Sequence, residues 1–306
     1  MTDLPEPLTC AWVTRHLKAD ERILDSEALP GGTTADVRKL TTDTGRYLVL
    51  RSYVDAARLR YAEEWLDRES FALKLFQRSD VSAPRFVAVD STAEHCEYPS
   101  LLMTHLPGST VLTDQGVDAR LPLLARQLVA IHNSSIADRP PEYQALTTAD
   151  SVVVPSGANA QVWSAAIDVI RRPAPAYEGR LLHRDFQPGN VLFGVRNMSP
   201  TIAGVVDWAG TCWGPTDLDV AHCSTNLALL HGPQWGSRFA NAYESAGGLL
   251  SDNAEAQRYW RIRDALACSE EVQLWAQPWR DAGRTDLTPG VIEDRLDAYL
   301  RILMNA

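Results

Sequence analysis

Lysine is almost missing from this chain. Only Lys18, Lys39 and Lys74 occur in 306 residues, so nearly all of the 29 Lys and Arg charges are arginine. Acidic residues number 39, and the formal net charge is −10. That balance argues against nucleic acid as a partner, because phosphate backbones need basic patches. It is compatible with a cationic small molecule. No run of about 18 apolar residues exists, so neither a transmembrane helix nor a membrane partner is expected. The start, MTDLPEPLTC, lacks the basic lead and apolar core of a secretory signal, and a cytoplasmic location is expected. The cysteines (Cys10, Cys96, Cys212, Cys223, Cys268) are scattered and form no C-x2-C pair. Neither a zinc site nor a disulfide framework follows from them. The chain contains no G-x4-G-K-[ST], H-E-x-x-H or G-x-S-x-G, which removes P-loop enzymes, zinc proteases and serine hydrolases.

What is there is an ordinary globular composition, 45% hydrophobic, on a length that suits two domains. Leu8, Trp12, Val13 and Leu17 recur at helical spacing and predict a short helix over 8–20. The stretch 28–40 reads as a strand, a Gly-rich turn at 30–34 and a strand. Thr41-Thr42-Asp43-Thr44-Gly45 is a second turn, and Tyr47-Leu48-Val49-Leu50-Arg51 a third strand. A helix over 56–77 follows, then strands at 85–89 and 99–104. From about residue 117 the pattern is helical: 118–136, 159–172, Asp217 (as N-cap) to Leu230, 233–247, 253–277 and 289–304. The intervening 138–157 is Pro-rich and irregular.

One stretch carries chemistry: Leu182-His183-Arg184-Asp185-Phe186-Gln187-Pro188-Gly189-Asn190-Val191-Leu192-Phe193, followed by Ile202-Ala203-Gly204-Val205-Val206-Asp207-Trp208. Two apolar runs are each bounded by a polar loop. They offer an aspartate, an asparagine five residues later and a second aspartate beyond the next run. This arrangement fits phosphoryl transfer from a metal-bound nucleotide. Asp185 sits where an acceptor hydroxyl proton would be taken, and Asn190 and Asp207 supply the hard oxygen ligands magnesium prefers.

These motifs resemble those of the aminoglycoside phosphotransferase family, the small-molecule branch of the protein-kinase-like fold, from about residue 20 to the C-terminus. The resemblance implies an α+β, bilobal, protein-kinase-like fold. An N-lobe over 1–104 would hold a small antiparallel sheet with one main helix. A larger, mostly helical C-lobe over 105–306 would hold hinge, catalytic loop, metal site and substrate-binding helices. It implies ATP or GTP and Mg2+ as cofactors, with Asp185 catalytic and Asn190 and Asp207 on the metal. Gly31, Gly32 and Thr33 would cover the triphosphate. Met103, Thr104 and His105 would form the hinge, whose backbone meets the base.

The third strand departs from the kinase pattern. Where kinases carry a lysine, this chain has Arg51, which becomes the candidate phosphate contact, since arginine can bind phosphate bidentately. Glu69 is its expected partner, because a glutamate among apolar residues is costly unless paired, with Glu64 as the alternative. The family also assigns Asp219 to bracing the catalytic loop. His132, His222 and His231 read as packing residues, and Gln187 as loop-shaping.

The expected reaction is transfer of the nucleotide γ-phosphate to a hydroxyl of a small molecule. A cationic antibiotic, either an aminoglycoside or a basic cyclic peptide, is the first choice, which would make the chain a resistance determinant. The acidic late helices suggest it. Asp264 and Glu271 lie seven residues apart on the expected 253–277 helix, with Trp275 four further, so all three would share a face. A kinase of an amino sugar, a choline-like alcohol or homoserine is the alternative within enzymes, and a nucleotide-binding pseudoenzyme the alternative outside them. A monomer or homodimer is expected.

Overall fold

Short runs of β-branched and apolar residues in the first hundred positions pair into one antiparallel sheet. Its strands are β1 (Ile23–Ala28), β2 (Asp36–Thr42), β3 (Tyr47–Ser52), β4 (Phe86–Asp90) and β5 (Ser100–Thr104), in the order β1-β2-β3-β5-β4. This computed structural model describes residues 4–29, 34–196, 198–270 and 272–305. The β2–β3 turn is closed by Gly45, whose φ of 77° falls where glycine carries no Cβ penalty. Its N–H donates to the Thr42 carbonyl at 3.0 Å. Two helices accompany the sheet: α1 (Pro7–Arg15), shorter than the pattern predicted, and α2 (Ala56–Phe76). Asp55 caps α2 by accepting from the Ala57 N–H at 2.9 Å. Trp12 and Val13 of α1 join Leu40, Leu48, Leu50, Ala88 and Leu102 in one apolar cluster. Each such fully buried side chain is worth roughly 1.5–3 kcal/mol.

The chain divides into two compact units. The first is Met1–Pro107 with Gly204–Gly210, so a seven-residue segment carrying Asp207 belongs with the sheet although it lies far along the sequence. The second is Gly108–Ala203 with Thr211–Ala306. It contains α3 (Val117–His132), α4 (Ala160–Ile170), β6 (Gly179–Leu182), a 3-10 turn at Pro188–Asn190, and β7 (Val191–Arg196). Next come β8 (Ser199–Val205), whose end passes into the first unit, and β9 (Cys212–Pro215), antiparallel to β6. The remaining helices are α5 (Thr216–His231), α6 (Gln234–Ser245), α7 (Ala254–Ala267), α8 (Val272–Asp281) and α9 (Pro289–Asn305).

Helix α5 is the axis of this unit. Every residue from Asp217 to His231 is buried, and α6, α7 and α9 all pack against it. A helix covered on all sides cannot leave polar side chains unpaired without cost, so its Asp and His residues must have partners. Asp217 does not cap α5, as expected, but lies in its first turn, where it accepts from the N–H of Ser251 at 3.1 Å and its Oγ at 2.9 Å.

The expected single helix over 253–277 is two helices. α7 stops at Ala267 because the last turn tightens: Cys268 N–H donates to Ala265 O at 3.2 Å and Ser269 N–H to Leu266 O at 3.1 Å. Ser269 Oγ also donates to Leu266 O at 2.7 Å, a local bond that competes with helix continuation. No described helix is long and apolar enough to cross a membrane.

Candidate active site

The second unit holds the Asp185 loop, between β6 and β7. Its backbone turns sharply at Arg184, whose φ of 71° lies in the left-handed region, a strained place for a side chain this large. Asp219 of α5 holds the turn. Its carboxylate is fully buried and accepts the backbone N–H groups of His183 and Arg184, each at 2.8 Å. His132 Nε2 lies 3.2 Å from the same carboxylate, and its Nδ1 lies 2.6 Å from the Tyr243 hydroxyl. Burial alone would raise the Asp219 carboxyl, but His132 and these hydrogen bonds hold it below the usual range.

Asp185 emerges from this braced loop with 40% of its side chain exposed. Asn190 Nδ2 donates to its Oδ2 at 2.7 Å and to its backbone carbonyl at 2.9 Å. Gln187 Nε2 donates to Oδ1 at 3.3 Å. The nearest partner of Oδ1 is one that the sequence pattern did not single out: Nε2 of His222, at 2.9 Å. The other nitrogen of that ring, Nδ1, lies 3.1 Å from Oδ1 of Asp264. Burial would discourage a charge on His222, yet Asp264 and Asp185 together raise its pKa to about 10. Burial raises Asp185 as well, but the bond from His222 keeps the carboxyl below its ordinary value.

This geometry corrects the expectation for the late helices. Asp264 is buried at 3% exposure and does not lie on a solvent-facing helix face. It points at His222, with the Arg184 guanidinium 3.7 Å away. Trp275 lies on α8 while Asp264 lies on α7, so the presumed common face does not exist. Trp275 packs against the His222 ring instead, at 5.7 Å between centroids. Glu271 lies outside the described residues. The helical period does not continue through Ser269, since α7 ends at Ala267 and α8 begins at Val272.

In the first unit, Arg51 reaches from β3 to two carboxylates. Its Nη1 lies 2.8 Å from Oε2 of Glu69 on α2 and 2.8 Å from Oδ1 of Asp207. Glu69 sits among Leu66, Ala72 and Leu73, fully buried. Burial pushes its carboxyl up, and Arg51 opposes that shift. Arg51 is held charged by Asp207 and Glu69 against its own burial. Its Nε is buried with no protein partner. Asp207 has a left-handed φ of 64° and a side chain 34% exposed. The next residue anchors it: Trp208 is buried against Phe76 at 4.5 Å, and its Nε1 donates to Val205 O at 2.9 Å.

The hinge candidates end this unit's sheet. Met103 is buried. Thr104 N–H donates to Arg85 O at 2.9 Å and His105 N–H to Tyr47 O at 3.2 Å. Both amides are therefore committed to the sheet. Burial lowers the His105 pKa. Gly31, Gly32 and Thr33 lie outside the described residues.

Each unit carries an oxygen donor of the kind magnesium takes: Asn190 uses its amide nitrogen on Asp185, which leaves its oxygen available, and Asp207 keeps a partly exposed carboxylate. Among the described residues no three His, Cys, Asp or Glu side chains cluster tightly enough to hold a metal. Magnesium does not need such a cage, since it takes one or two side-chain oxygens together with phosphates.

A five-stranded antiparallel sheet with a Glu-bearing helix, a braced H-x-D-x4-N loop and an Asp after the next strand define a protein-kinase-like fold. A sequence model of the phosphotransferase enzyme family (APH) matches residues 25–260. The chain belongs to that family and is a small-molecule kinase. Among curated proteins no sequence match is found. Solved structures share the fold. A Ralstonia eutropha protein described as a candidate aminoglycoside phosphotransferase is 14% identical, over 96% of this chain and 98% of its own, with a TM-score of 0.64. A thermostable mutant of aminoglycoside phosphotransferase APH(4)-Ia, in complex with ADP and hygromycin B, is 18% identical over 92% of this chain and 94% of its own (TM-score 0.59). Macrolide 2'-phosphotransferase type I is also 18% identical, over 94% of this chain and 95% of its own (TM-score 0.59).

Proposed function

We propose that this chain transfers the γ-phosphate of ATP or GTP to a hydroxyl of a small molecule, with Asp185 receiving the hydroxyl proton. The observation that carries this reading is the Asp185 carboxylate itself. It is partly exposed, yet Oδ2 is held by Asn190 of the loop that Asp219 braces and Oδ1 by His222 of α5. Such preorganisation is what positioning and electrostatic catalysis require. Asn190 and Asp207 would hold magnesium, which supplies charge neutralisation on the phosphates when bound. Arg51, kept charged and oriented by Glu69, offers a buried N–H to a phosphate oxygen.

For the acceptor we favour a cationic antibiotic such as an aminoglycoside or a basic cyclic peptide. The net charge of −10 supports it, as does the hygromycin B bound by one protein of this fold. Trp275 remains a candidate contact. A second reading, a small amino sugar or amino alcohol, gains weight from the inward turn of Asp264, which leaves the acidic set one member smaller.

The test is consumption of MgATP and MgGTP against aminoglycosides, tuberactinomycin-type peptides, macrolides and amino sugars, with Asp185→Ala alongside. Turnover with one cationic antibiotic, lost in the variant, supports the first choice. Turnover confined to an amino sugar or amino alcohol replaces it with the second. Nucleotide binding without turnover on any acceptor counts against the enzyme reading.

A further inference from the structure

Asp185 Oδ1 receives two donors, His222 Nε2 at 2.9 Å and Gln187 Nε2 at 3.3 Å, while Oδ2 receives one, Asn190 Nδ2 at 2.7 Å. A carboxylate has about four lone-pair sites. Three are filled, and the open one is on Oδ2. Whatever fixes Oδ1 therefore decides where an acceptor hydroxyl can be received.

His222 does this from a fully packed helix, with 4% of its side chain exposed. Its protonation follows from its neighbours. A carboxylate oxygen lies within hydrogen-bond distance of each ring nitrogen, Asp185 on Nε2 and Asp264 on Nδ1. Two carboxylates that both accept would put a hydrogen on each nitrogen, and Asp264 and Asp185 push the ring in that direction, towards an imidazolium. Asn226 Nδ2 donates to the His222 carbonyl at 2.9 Å and lies 3.2 Å from Nε2, farther than Asp185 Oδ1 at 2.9 Å. The charged groups facing the ring are Asp185, Asp264 and, through Asp264, Arg184 at 3.7 Å. The Trp275 ring lies against one side at 5.7 Å.

We propose that His222 is a positioning residue for phosphoryl transfer: clamped by Asp264, it pins Oδ1 of Asp185 so that Oδ2 alone is presented to the acceptor hydroxyl. The inference rests on the reading of Asp185 as the group that meets that hydroxyl. Asp264 acts through His222, to whose Nδ1 its Oδ1 lies at 3.1 Å. Because His222 is already protonated, it cannot take the proton Asp185 receives, and that proton leaves towards solvent or product.

The test uses the full chain labelled with 15N-histidine, with MgATP as donor and hygromycin B or water as acceptor. At pH 8 one histidine should show both ring nitrogens protonated. The signal should be missing from His222→Gln and should become that of a neutral ring in Asp264→Asn. His222→Gln should lose about 100-fold in kcat, the effect of a misplacement of about 1 Å. The KM for MgATP should change less than threefold, and added imidazole should restore part of the activity of His222→Ala. A structural role alone would not give the kcat-against-KM split or the rescue. Absence of an imidazolium signal at pH 8 overturns the clamp. An undiminished His222→Gln beside an inactive Asp185→Asn overturns the positioning role alone. An Asp185→Asn as active as the natural chain overturns the catalytic reading and the positioning role with it. If His222→Gln does not fold, Asp264→Asn, which keeps the ring, decides through the NMR signal and its kcat.

Discussion

Arg51 donates through Nη1 to Oε2 of Glu69 at 2.8 Å, joining the third strand to the helix that follows it. The same nitrogen lies 2.8 Å from Asp207. One guanidinium thus pairs with two carboxylates inside the first unit. Arg51→Ala would strand a buried Glu69, and breaking a buried pair from one side costs about 3–5 kcal/mol. Arg51→Lys keeps a charge, and the loss should be below about half of that. Urea denaturation of the two variants checks this. A loss under about 1 kcal/mol for Arg51→Ala would mean the pair contributes little. In the same variants the MgATP affinity should fall further for alanine than for lysine, since lysine restores a phosphate donor.

Much of the first unit was legible because its signals are local. Alternating strands, the Asp-Thr-Gly turn and Glu69 in an apolar helix face each state their own requirement. The Glu69 partner could be named because burial leaves an ionised carboxylate few options. His222 was not legible. In sequence it is one residue of an apolar-looking helix, and nothing local says that Asp185, 37 positions earlier, will lie at its ring. The available signal was burial of all of α5, which obliges a histidine there to have a partner, but that is a tertiary fact. Asp264 failed for the same reason, compounded by the break after Ala267, which local Ser269 bonding produces within an otherwise continuous helical pattern.

Removal of the proposed metal ligands should separate from removal of Asp185. Asp207→Asn and Asn190→Ala should raise the Mg2+ concentration needed for half-maximal turnover, because the first removes the negative charge of a ligand and the second an oxygen donor. Asp185→Asn should lower kcat by about 100- to 10,000-fold, the range for loss of a general base, with the Mg2+ dependence unchanged. Mg2+ titrations of turnover for the three variants check this, and an unchanged Mg2+ requirement in both ligand variants would remove the metal role.

Stability should fall in alkali through His222. Its pKa is raised to about 10 in the folded chain, against about 6.5 for an ordinary histidine. A group with a raised folded pKa contributes its full stabilisation below about pH 6.5, and that contribution is lost as pH rises towards 10. The unfolding free energy should therefore decline between pH 7 and 10 more steeply for the natural chain than for His222→Gln. Parallel slopes in denaturant titrations at pH 7, 8.5 and 10 would place the proton elsewhere.

Asp219 sets the loop on which all of this depends, and its replacement should show two distinct losses. The carboxylate accepts two backbone N–H groups of the loop and faces His132 of α3. Asp219→Asn puts an NH2 group where one of those acceptors stood, and one buried N–H then faces a donor. An unsatisfied buried group costs about 1–3 kcal/mol. The left-handed backbone at Arg184 loses its restraint at the same step, because the N–H of that residue is one of the two bonded. Relaxation of Arg184 would carry Asp185, the next residue, out of register with Asn190 and His222. The variant should thus lose about 1–3 kcal/mol in denaturation and also lose kcat well beyond what that destabilisation explains at a temperature where it is fully folded. A folded Asp219→Asn with natural kcat would show that the Asp185 loop holds its shape without the brace.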